Sequence, residues 1–260
     1  MTDIIIQGIG GRMGHALCEM IANRSDCRVV AGIDQQDGEQ NGIPVYDSLD
    51  KLDGKGDVII DFSAPAAVEK ALTYCEAHKM PIVVCTTGLS EELQLKMVQL
   101  SRIVPVFKSA NMSIGINLLS ELCKRASAIL GADYDVEIVE QHHHNKLDAP
   151  SGTAITLAEG ILEKIDRKDK WVKGTFLAPD GAISGTNDCA PNELPISSIR
   201  EGEVFGLHTI RYESDVDTIS ITHDAKSRGG FVLGAVLAAE YTATHEGFLG
   251  MSDLFPFLND

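Results

Sequence analysis

The sequence predicts an α/β protein with a doubly wound parallel sheet, followed by a second, α+β domain whose sheet is mixed or antiparallel. Three observations predict this fold class. In the first part of the chain, short apolar runs alternate with amphipathic segments, as expected for parallel strands joined by helices. After Asn111 the pattern changes to two strong helices and several short alternating strands. The last long segment, residues 229–246, is a helix of small and aliphatic residues.

The elements of the first part are predicted from apolar runs and helical spacing. Runs rich in isoleucine and valine predict buried strands at residues 3–8, 27–34, 57–63, 80–88 and 103–110. Amphipathic spacing predicts the intervening helices at residues 12–24, 65–79 and 90–101.

The second part begins with a strongly periodic helix. The order helix, strand, helix is predicted at residues 113–130, 133–144 and 151–166. Short alternating runs separated by Gly, Glu and Asp predict antiparallel strands at residues 196–200, 204–214 and 217–225. The stretch 179–192 is expected to be a long mobile loop. We expect the first domain to comprise 1–112 and 229–260, and the second 113–228.

Composition excludes several classes of function. The chain has 260 residues and a formal net charge of −16, which disfavours binding to nucleic acid or to an anionic membrane. Its six cysteines are scattered without a C-x-x-C pair, as expected for reduced thiols. Neither a charged leader nor an apolar run of bilayer length is found. We therefore expect a soluble, cytoplasmic protein.

The glycine-rich stretch GIGGRMG lies between the first predicted strand and helix, which is the context of a Rossmann-type dinucleotide site. Gly8 and Gly10 allow a tight turn and a close approach to a pyrophosphate, and the helix after Gly11 offers N–H groups. The spacing differs from G-x-G-x-x-G, because Met13 occupies the third glycine position and Gly14 follows it. Taken alone, the stretch is better explained as a Gly-rich turn between a strand and a helix.

An acid at the end of the second strand strengthens the prediction of a nicotinamide dinucleotide site. Asp34 lies about twenty residues beyond the loop, where a carboxylate binds the ribose hydroxyls of adenosine. It would repel a 2′-phosphate, and Gln35 adds no positive charge, so NADH is preferred; Arg12 leaves NADPH possible. The loops CTTG and SANMS follow the fourth and fifth predicted strands and suit the nicotinamide end of the cofactor, although ordinary strand–helix loops could have the same sequences.

The stretch EQHHHNKLDAPSGTA, residues 140–154, allows three interpretations. A metal site is disfavoured because neighbouring strand residues point to opposite faces, so that only His142 and His144 could share a ligand set. A solvated polar turn is the second interpretation. Proton transfer fits best: a histidine can act as the general acid, and Lys146 can hold an anionic substrate.

The end of the same stretch predicts an anion site. Pro150 stiffens the approach and Ser151 can cap the next helix. Gly152 and Thr153 then present backbone N–H groups at its N-terminus, where a carboxylate is favoured. The segment therefore indicates a small anion that is reduced with acid catalysis.

The chain resembles the dihydrodipicolinate reductase family over nearly its whole length. The resemblance is carried by GIGGRMG, DFSAP, TTG, SANMSIGIN, EQHHHNKLDAPSGTA and ITHDAKSR, which occur in the family's order. It implies an NAD(P)H-dependent oxidoreductase of lysine and diaminopimelate biosynthesis, without a metal, which reduces a cyclic dicarboxylate. It also implies a dinucleotide-binding first domain, a second domain for substrate binding and oligomerisation, and a homotetramer assembled through the second-domain sheets.

The resemblance also assigns residues. It implies that His142 is the acid/base and Lys146 the catalytic lysine, with closure of the two domains bringing hydride donor and ring together. The implied substrate-binding residues are His143, Lys146, Ser151, Gly152 and Thr153. The implied cofactor-binding residues are Gly8, Ile9, Gly10, Gly11, Arg12, Met13, Asp34, Cys85, Thr86, Thr87, Ser109, Ala110, Asn111 and Met112.

Four positions depart from the family pattern. Cys85 replaces a glycine before TTG, which would put a side chain near the nicotinamide. His144 and Asn145 replace a more basic pair, and Gln35 replaces a basic residue that some members use for the 2′-phosphate.

Two other functions stay open: another NAD-dependent dehydrogenase of a small anionic substrate, and a non-enzymatic NADH-sensing module. The sensing module would need neither His142 nor Lys146.

Overall fold

A computed structural model describes residues 1–52 and 56–256. The chain forms two compact units, one of Met1–Ile114 with Arg228–Asp260 and one of Gly115–Ser227. Residues 53–55 and 257–260 of the predicted first domain lie outside the described residues. Among the described residues, no helix combines the length and apolar character needed to cross a membrane.

The secondary structure comprises the following strands and helices, numbered in chain order. The strands are β1 (Thr2–Gln7), β2 (Cys27–Ile33), β3 (Gly38–Gln40), β4 (Ile43–Tyr46), β5 (Val58–Asp61), β6 (Ile82–Val84), β7 (Val106–Lys108), β8 (Asp135–His142), β9 (Lys170–Leu177), β10 (Ile183–Ser184), β11 (Glu193–Arg200), β12 (Leu207–Glu213), β13 (Thr218–Asp224) and β14 (Phe248–Leu249). The helices are α1 (Arg12–Ala22), α2 (Pro65–His78), α3 (Glu91–Leu100), α4 (Ile114–Leu130), α5 (Gly152–Leu162), α6 (Gly229–Thr242) and α7 (Met251–Leu254).

The first unit contains a sheet in the order β14-β7-β6-β5-β1-β2-β4-β3. Its strands pair in parallel except for β3, which is antiparallel to β4. After β1 the chain adds β2 on one side and later β5 on the other, so the predicted doubly wound sheet is confirmed. Ligands of such sheets bind at the carboxyl ends of the strands, beside this reversal of strand order.

Helices cover both faces of this sheet. Apolar residues of α1 and α6, such as Leu17 and Val236, share one buried cluster with Ile4 and Ile60 of the strands. Those of α2 and α3 form the second cluster on the opposite face. The small residues of α6 allow close packing: a Cβ added at Gly234 would lie 1.8 Å from the Met112 carbonyl oxygen.

The hairpin of β3 and β4 is absent from the sequence prediction. Its two-residue turn, Asn41–Gly42, has φ values of 52° and 81°, which the twist of a tight hairpin requires. An Asn-Gly pair is the sequence signal that could have located it. The strand β14 is only two residues long, which is too short for a periodic pattern.

The second unit contains a sheet in the order β10-β9-β11-β8-β12-β13. The strands β8, β12 and β13 pair antiparallel, as predicted. The antiparallel prediction is wrong for β11, which is parallel to both β8 and β9. The strand β9 was not predicted, because Lys170, Lys173 and Gly174 interrupt its apolar pattern. The predicted loop 179–192 contains β10, which pairs with β9.

Helices α4 and α5 pack on one face of this second sheet. Leu119 of α4 and Leu157 of α5 share a buried cluster with Ile138, Ile210 and Tyr212 of the strands. Along β8 the buried residues alternate with half-buried ones on the opposite face. The helix-covered face leads directly to His142, the last residue of β8.

Candidate active site

The glycine loop of the first unit has the geometry that a dinucleotide site needs. Gly8 has φ +82°, a conformation that residues with a Cβ rarely adopt. A Cβ at Gly14 would lie 2.2 Å from the Ile9 carbonyl oxygen, so Gly14 allows α1 to pack against the loop. Gly11 precedes α1, and no side chain caps the first turn of this helix. The residues present therefore fit a pyrophosphate held by backbone N–H groups.

Asp34 follows β2 and is fixed by the same loop. Its Oδ2 accepts a hydrogen bond from the Gly10 N–H at 2.8 Å, and its Oδ1 accepts one from the Gln35 N–H at 2.8 Å. A Cβ at Gly10 would lie 2.9 Å from Oδ2, so only glycine allows this close approach. Because each carboxylate oxygen can accept two hydrogen bonds, the acid retains capacity for ribose hydroxyls.

A buried acid, Asp61, joins the loops after β5 and β6. Its Oδ2 accepts a hydrogen bond from Thr86 Oγ1 at 2.6 Å, and Ser63 Oγ donates to its Oδ1. Ser63 N–H donates to Thr86 Oγ1 at 2.9 Å, and Lys108 Nζ donates to the Thr86 carbonyl oxygen at 2.8 Å. Burial raises the pKa of Asp61 and lowers that of Lys108. Sequence reasoning gave Asp61 no role in the site.

Cys85 contributes to the core of the first unit. Its side chain is buried in the cluster that includes Val83 and Phe107, and burial raises the pKa of its thiol well above the ordinary value. The next residue, Thr86, is buried as well, whereas Thr87 is exposed. The Cys85 thiol therefore packs in the hydrophobic core.

The SANM loop after β7 is stabilised internally. Ser109 Oγ donates to the Asn111 carbonyl oxygen at 2.8 Å and accepts from the Asn111 N–H at 3.2 Å. Ala110 is exposed, whereas the Met112 side chain is packed in the core. Because β1, β2, β6 and β7 are parallel, all the predicted cofactor residues follow strands at one edge of the sheet.

His142 lies at the centre of a polar cluster in the second unit. Its side chain is almost fully buried, and its Nδ1 is 2.5 Å from Glu140 Oε2. The buried guanidinium of Arg200 donates to both oxygens of Glu140, at 3.0 Å and 2.8 Å. Burial raises the pKa of Glu140, but the hydrogen bonds from His142 and Arg200 outweigh it and lower the pKa to about 2. Glu140 is therefore ionised at neutral pH.

The other two histidines lie in a turn, because β8 ends at His142. The prediction of a strand through residue 144 is therefore too long. His143 N–H donates to the Val204 carbonyl oxygen, and His144 Nδ1 contacts the Gly202 carbonyl oxygen at 2.9 Å. Burial and the neighbouring His142 lower the pKa of His143. Within the described residues, the side chains placed as a metal set are Asp26, Cys27 and Glu240, not these histidines.

Lys146 is half-buried, and its ammonium forms an ion pair with Asp148. The Lys146 Nζ lies 2.8 Å from Asp148 Oδ1, and the Asp148 side chain is exposed. Burial raises the pKa of Asp148, but the hydrogen bond from Lys146 lowers it overall. A substrate anion at Lys146 would compete with an exposed carboxylate rather than with a buried one.

Ser151 caps α5 as predicted, since its Oγ accepts a hydrogen bond from the Ala154 N–H at 3.2 Å. Its own N–H donates to Glu140 Oε1 at 3.3 Å. A Cβ added at Gly152 meets nothing within 4 Å, and Gly152 is exposed. Thr153 follows in the first turn, where helix N–H groups attract anions. The predicted anion site therefore starts beside the acid that contacts His142.

His208, which sequence reasoning gave no function of its own, completes the cluster. It lies on β12 and is buried, and its Nε2 is 3.2 Å from Ser151 Oγ. Its ring meets His142 edge-on with the centroids 5.2 Å apart. Burial and the charge of His142 lower the pKa of His208 to about 3, so it is neutral at pH 7. No sequence pattern links residues 142 and 208; their proximity depends on the pairing of β8 with β12.

Comparison with known families identifies both units. The family model described as "Dihydrodipicolinate reductase, N-terminus" matches residues 2–112, and the one described as "Dihydrodipicolinate reductase, C-terminus" matches residues 115–255.

Curated relatives match over similar lengths. A 4-hydroxy-tetrahydrodipicolinate reductase of Clostridium novyi (strain NT) is 38% identical over 100% of both chains. One of Rickettsia rickettsii (strain Sheila Smith) is 38% identical over 92% of each.

Solved structures share the fold. A dipicolinate-bound dihydrodipicolinate reductase from Paenisporosarcina sp. TG-14 has a TM-score of 0.80 at 23% identity, covering 98% of this chain and 99% of that one. The C. glutamicum DAP dehydrogenase in complex with DAP has a TM-score of 0.58 at 12% identity, covering 100% and 95%.

Proposed function

This chain belongs to the dihydrodipicolinate reductase family and is an oxidoreductase, and from this premise we propose that it reduces 4-hydroxy-tetrahydrodipicolinate to tetrahydrodipicolinate with NADH or NADPH. The reaction belongs to lysine and diaminopimelate biosynthesis. One observation carries the proposal beyond family membership. A buried, hydrogen-bonded His142 lies beside the capped N-terminus of α5, so a proton donor and an anion site adjoin.

The first unit is proposed to hold the cofactor. The Gly8–Met13 loop would bind the pyrophosphate, Asp34 the adenosine ribose, and the loops after β6 and β7 the nicotinamide end. When bound, the reduced nicotinamide supplies a hydride. The buried Asp61 would keep the Thr86 loop in place through the hydrogen bonds described above.

The second unit is proposed to hold the substrate, a cyclic dicarboxylate. The N–H groups of Gly152 and Thr153, with the nearby Ser151, would bind one carboxylate of the substrate. Lys146 and His143 would contact the same carboxylate. Transfer of a hydride to an imine-conjugated ring carbon leaves negative charge on the conjugated system. His142 would then deliver a proton to the adjacent carbon. Hydride and proton together complete the two-electron reduction of the conjugated ring, which forms beforehand when the substrate hydroxyl leaves with a ring hydrogen as water.

Turnover of freshly generated substrate tests the proposed function. Purified protein is mixed with a synthase that produces 4-hydroxy-tetrahydrodipicolinate and with NADH or NADPH, and loss of absorbance of the reduced cofactor is followed. We expect substrate-dependent oxidation of the cofactor. Oxidation with neither cofactor would overturn the proposal, and binding of NADH without turnover would favour a sensing module.

Cofactor preference gives a second prediction. Because Asp34 places a negative charge where a 2′-phosphate would lie, we expect a higher kcat/KM for NADH than for NADPH. Asp34→Asn should lower kcat/KM for NADH by about 10-fold, the loss of about one charge-assisted hydrogen bond, and lower that for NADPH much less. Asp37→Asn, a nearby exposed acid paired with Lys51, is the control. Comparable kcat/KM values for both cofactors in the wild type would contradict the preference.

The oligomer is also a proposal. The face of the second sheet opposite α4 and α5 carries the half-buried Glu137, Val139 and Gln141 along β8. A homotetramer assembled through this sheet would cover that face. Sedimentation equilibrium of the full chain should give four times the chain mass of 28.0 kDa, and a monomeric mass would refute the assembly.

A further inference from the structure

We propose that Glu140, held by Arg200, is a positioning residue that fixes the proton-donating form of His142 and aligns it with the N-terminus of α5. This inference rests on the proposed function, in which His142 donates the proton. Its first support is burial. Both Glu140 and Arg200 are almost completely inaccessible to solvent, with 0% and 1% exposure, so their geometry is set by the protein and not by water.

The contacts of Glu140 determine which hydrogen-bonding form each group takes. Oε2 receives His142 Nδ1 and one Arg200 nitrogen, while Oε1 receives the other Arg200 nitrogen and the Ser151 N–H. A guanidinium and a backbone N–H can only donate. Because the ionised carboxylate of Glu140 can only accept, the His142 Nδ1 that contacts it must carry a hydrogen.

The consequence for His142 lies at its other nitrogen. With Nδ1–H held by Glu140, only Nε2 gains and loses the catalytic proton. Gly206 lies close to this atom: a Cβ added there would be 3.1 Å from His142 Nε2, and glycine avoids that contact.

The same carboxylate reaches the anion site. Through its Oε1 it accepts the N–H of Ser151, the cap residue of α5. Arg200 fixes the approach to this helix as well, since its Nη2 donates to the Asp148 carbonyl oxygen at 2.6 Å. One ion pair therefore connects the acid, the cap and the loop that carries Lys146. An ion pair with a structural role alone would not need to select a histidine tautomer.

Glu140→Gln tests the tautomer directly. A glutamine replaces one carboxylate oxygen by an NH₂ group, and His142 can respond by becoming an acceptor at Nδ1, whereas the Arg200 guanidinium and the Ser151 N–H cannot. ¹⁵N NMR of histidine-labelled protein at pH 8, with His142 assigned from the His142→Gln spectrum, should show Nδ1–H in the wild type and Nε2–H in the variant. An Nε2–H form of His142 in the wild type overturns the proposal, whether or not the Glu140→Gln variant folds.

The kinetic readout separates positioning from stability. We expect Glu140→Gln to lower kcat about 100-fold, with KM for NADH unchanged. Glu159→Gln, which removes one charge from an exposed position on α5, is the matched control. A wild-type kcat in Glu140→Gln would refute the role.

A double-mutant cycle completes the test. If Glu140 acts through His142, the Glu140→Gln change should cost little more activity in a His142→Gln background, whereas two independent losses would multiply. Multiplying losses would overturn the inference. Arg200→Lys, which keeps the charge but not the two-pronged contact, should retain the Nδ1–H tautomer and lower kcat about 10-fold. Failure of wild-type turnover would instead refute the proposed function, leaving the NMR result to decide the tautomer.

Discussion

His142→Gln is expected to lower kcat by about two to three orders of magnitude, while the protein still folds and binds NADH. Glutamine preserves a polar side chain next to Glu140 but cannot carry and deliver a proton. Stopped-flow measurement of cofactor oxidation gives kcat, and fluorescence titration gives the Kd of NADH. The large effect is expected because the ring carbon must be protonated for the reduction to proceed.

His144→Gln is the matched control for this prediction. It makes the same change two residues along the chain, at a half-exposed side chain that contacts the Gly202 carbonyl oxygen. We expect kcat within about 3-fold of the wild type, since surface substitutions usually have small effects. Equal losses in both variants would argue against a specific acid at His142. Loss of NADH binding in His142→Gln would place the residue in the cofactor site instead.

Lys146→Ala is expected to lower kcat about 100-fold and to raise KM for the dicarboxylate, with NADH binding retained. An ammonium positioned at a carboxylate contributes more as charge develops in the ring. Removal of Asp148 should act in the opposite direction. Since the Lys146–Asp148 pair is partly exposed, Asp148→Asn should lower KM by only about 2- to 5-fold.

Lys170→Ala supplies the control for the lost charge. Lys170 is exposed and pairs with Glu193 in the same unit, so its removal should leave kcat and KM unchanged. An unaltered kcat in Lys146→Ala would remove the lysine from the proposed machinery. A higher KM in Asp148→Asn would show that Asp148 supports the site rather than competing with the substrate.

Much of the first unit could be predicted because its signals are local. Five apolar runs and a glycine loop place β1, β2, β5, β6 and β7, and parallel pairing then brings their following loops to one edge. The second sheet was harder to predict. The position of β11 between β9 and β8 depends on how the chain returns after α5, which no run of residues in β11 encodes.

The candidate site likewise has one part that the sequence predicts and another that it does not. The stretch that contains His142, Lys146 and Ser151 is contiguous, so its residue types suggested a proton donor and an anion site, although their roles stay predictions. Arg200 lies sixty residues beyond Glu140 and reaches it only through the pairing of β11 with β8. Such partners have no spacing that a single sequence can reveal.

The neutral, buried His208 makes proton uptake a driving force for unfolding in mild acid. Its pKa falls from the ordinary 6.5 to about 3 in the folded protein, first because of burial. As the pH falls below 6.5, His208 binds a proton in the unfolded chain but not in the folded chain. The contribution of neutral His208 to folding stability is therefore fully present above that pH and declines toward pH 3, by about 1.4 kcal/mol for each pH unit. His208, whose Nε2 contacts Ser151 Oγ, therefore lowers the stability of the second unit in acid.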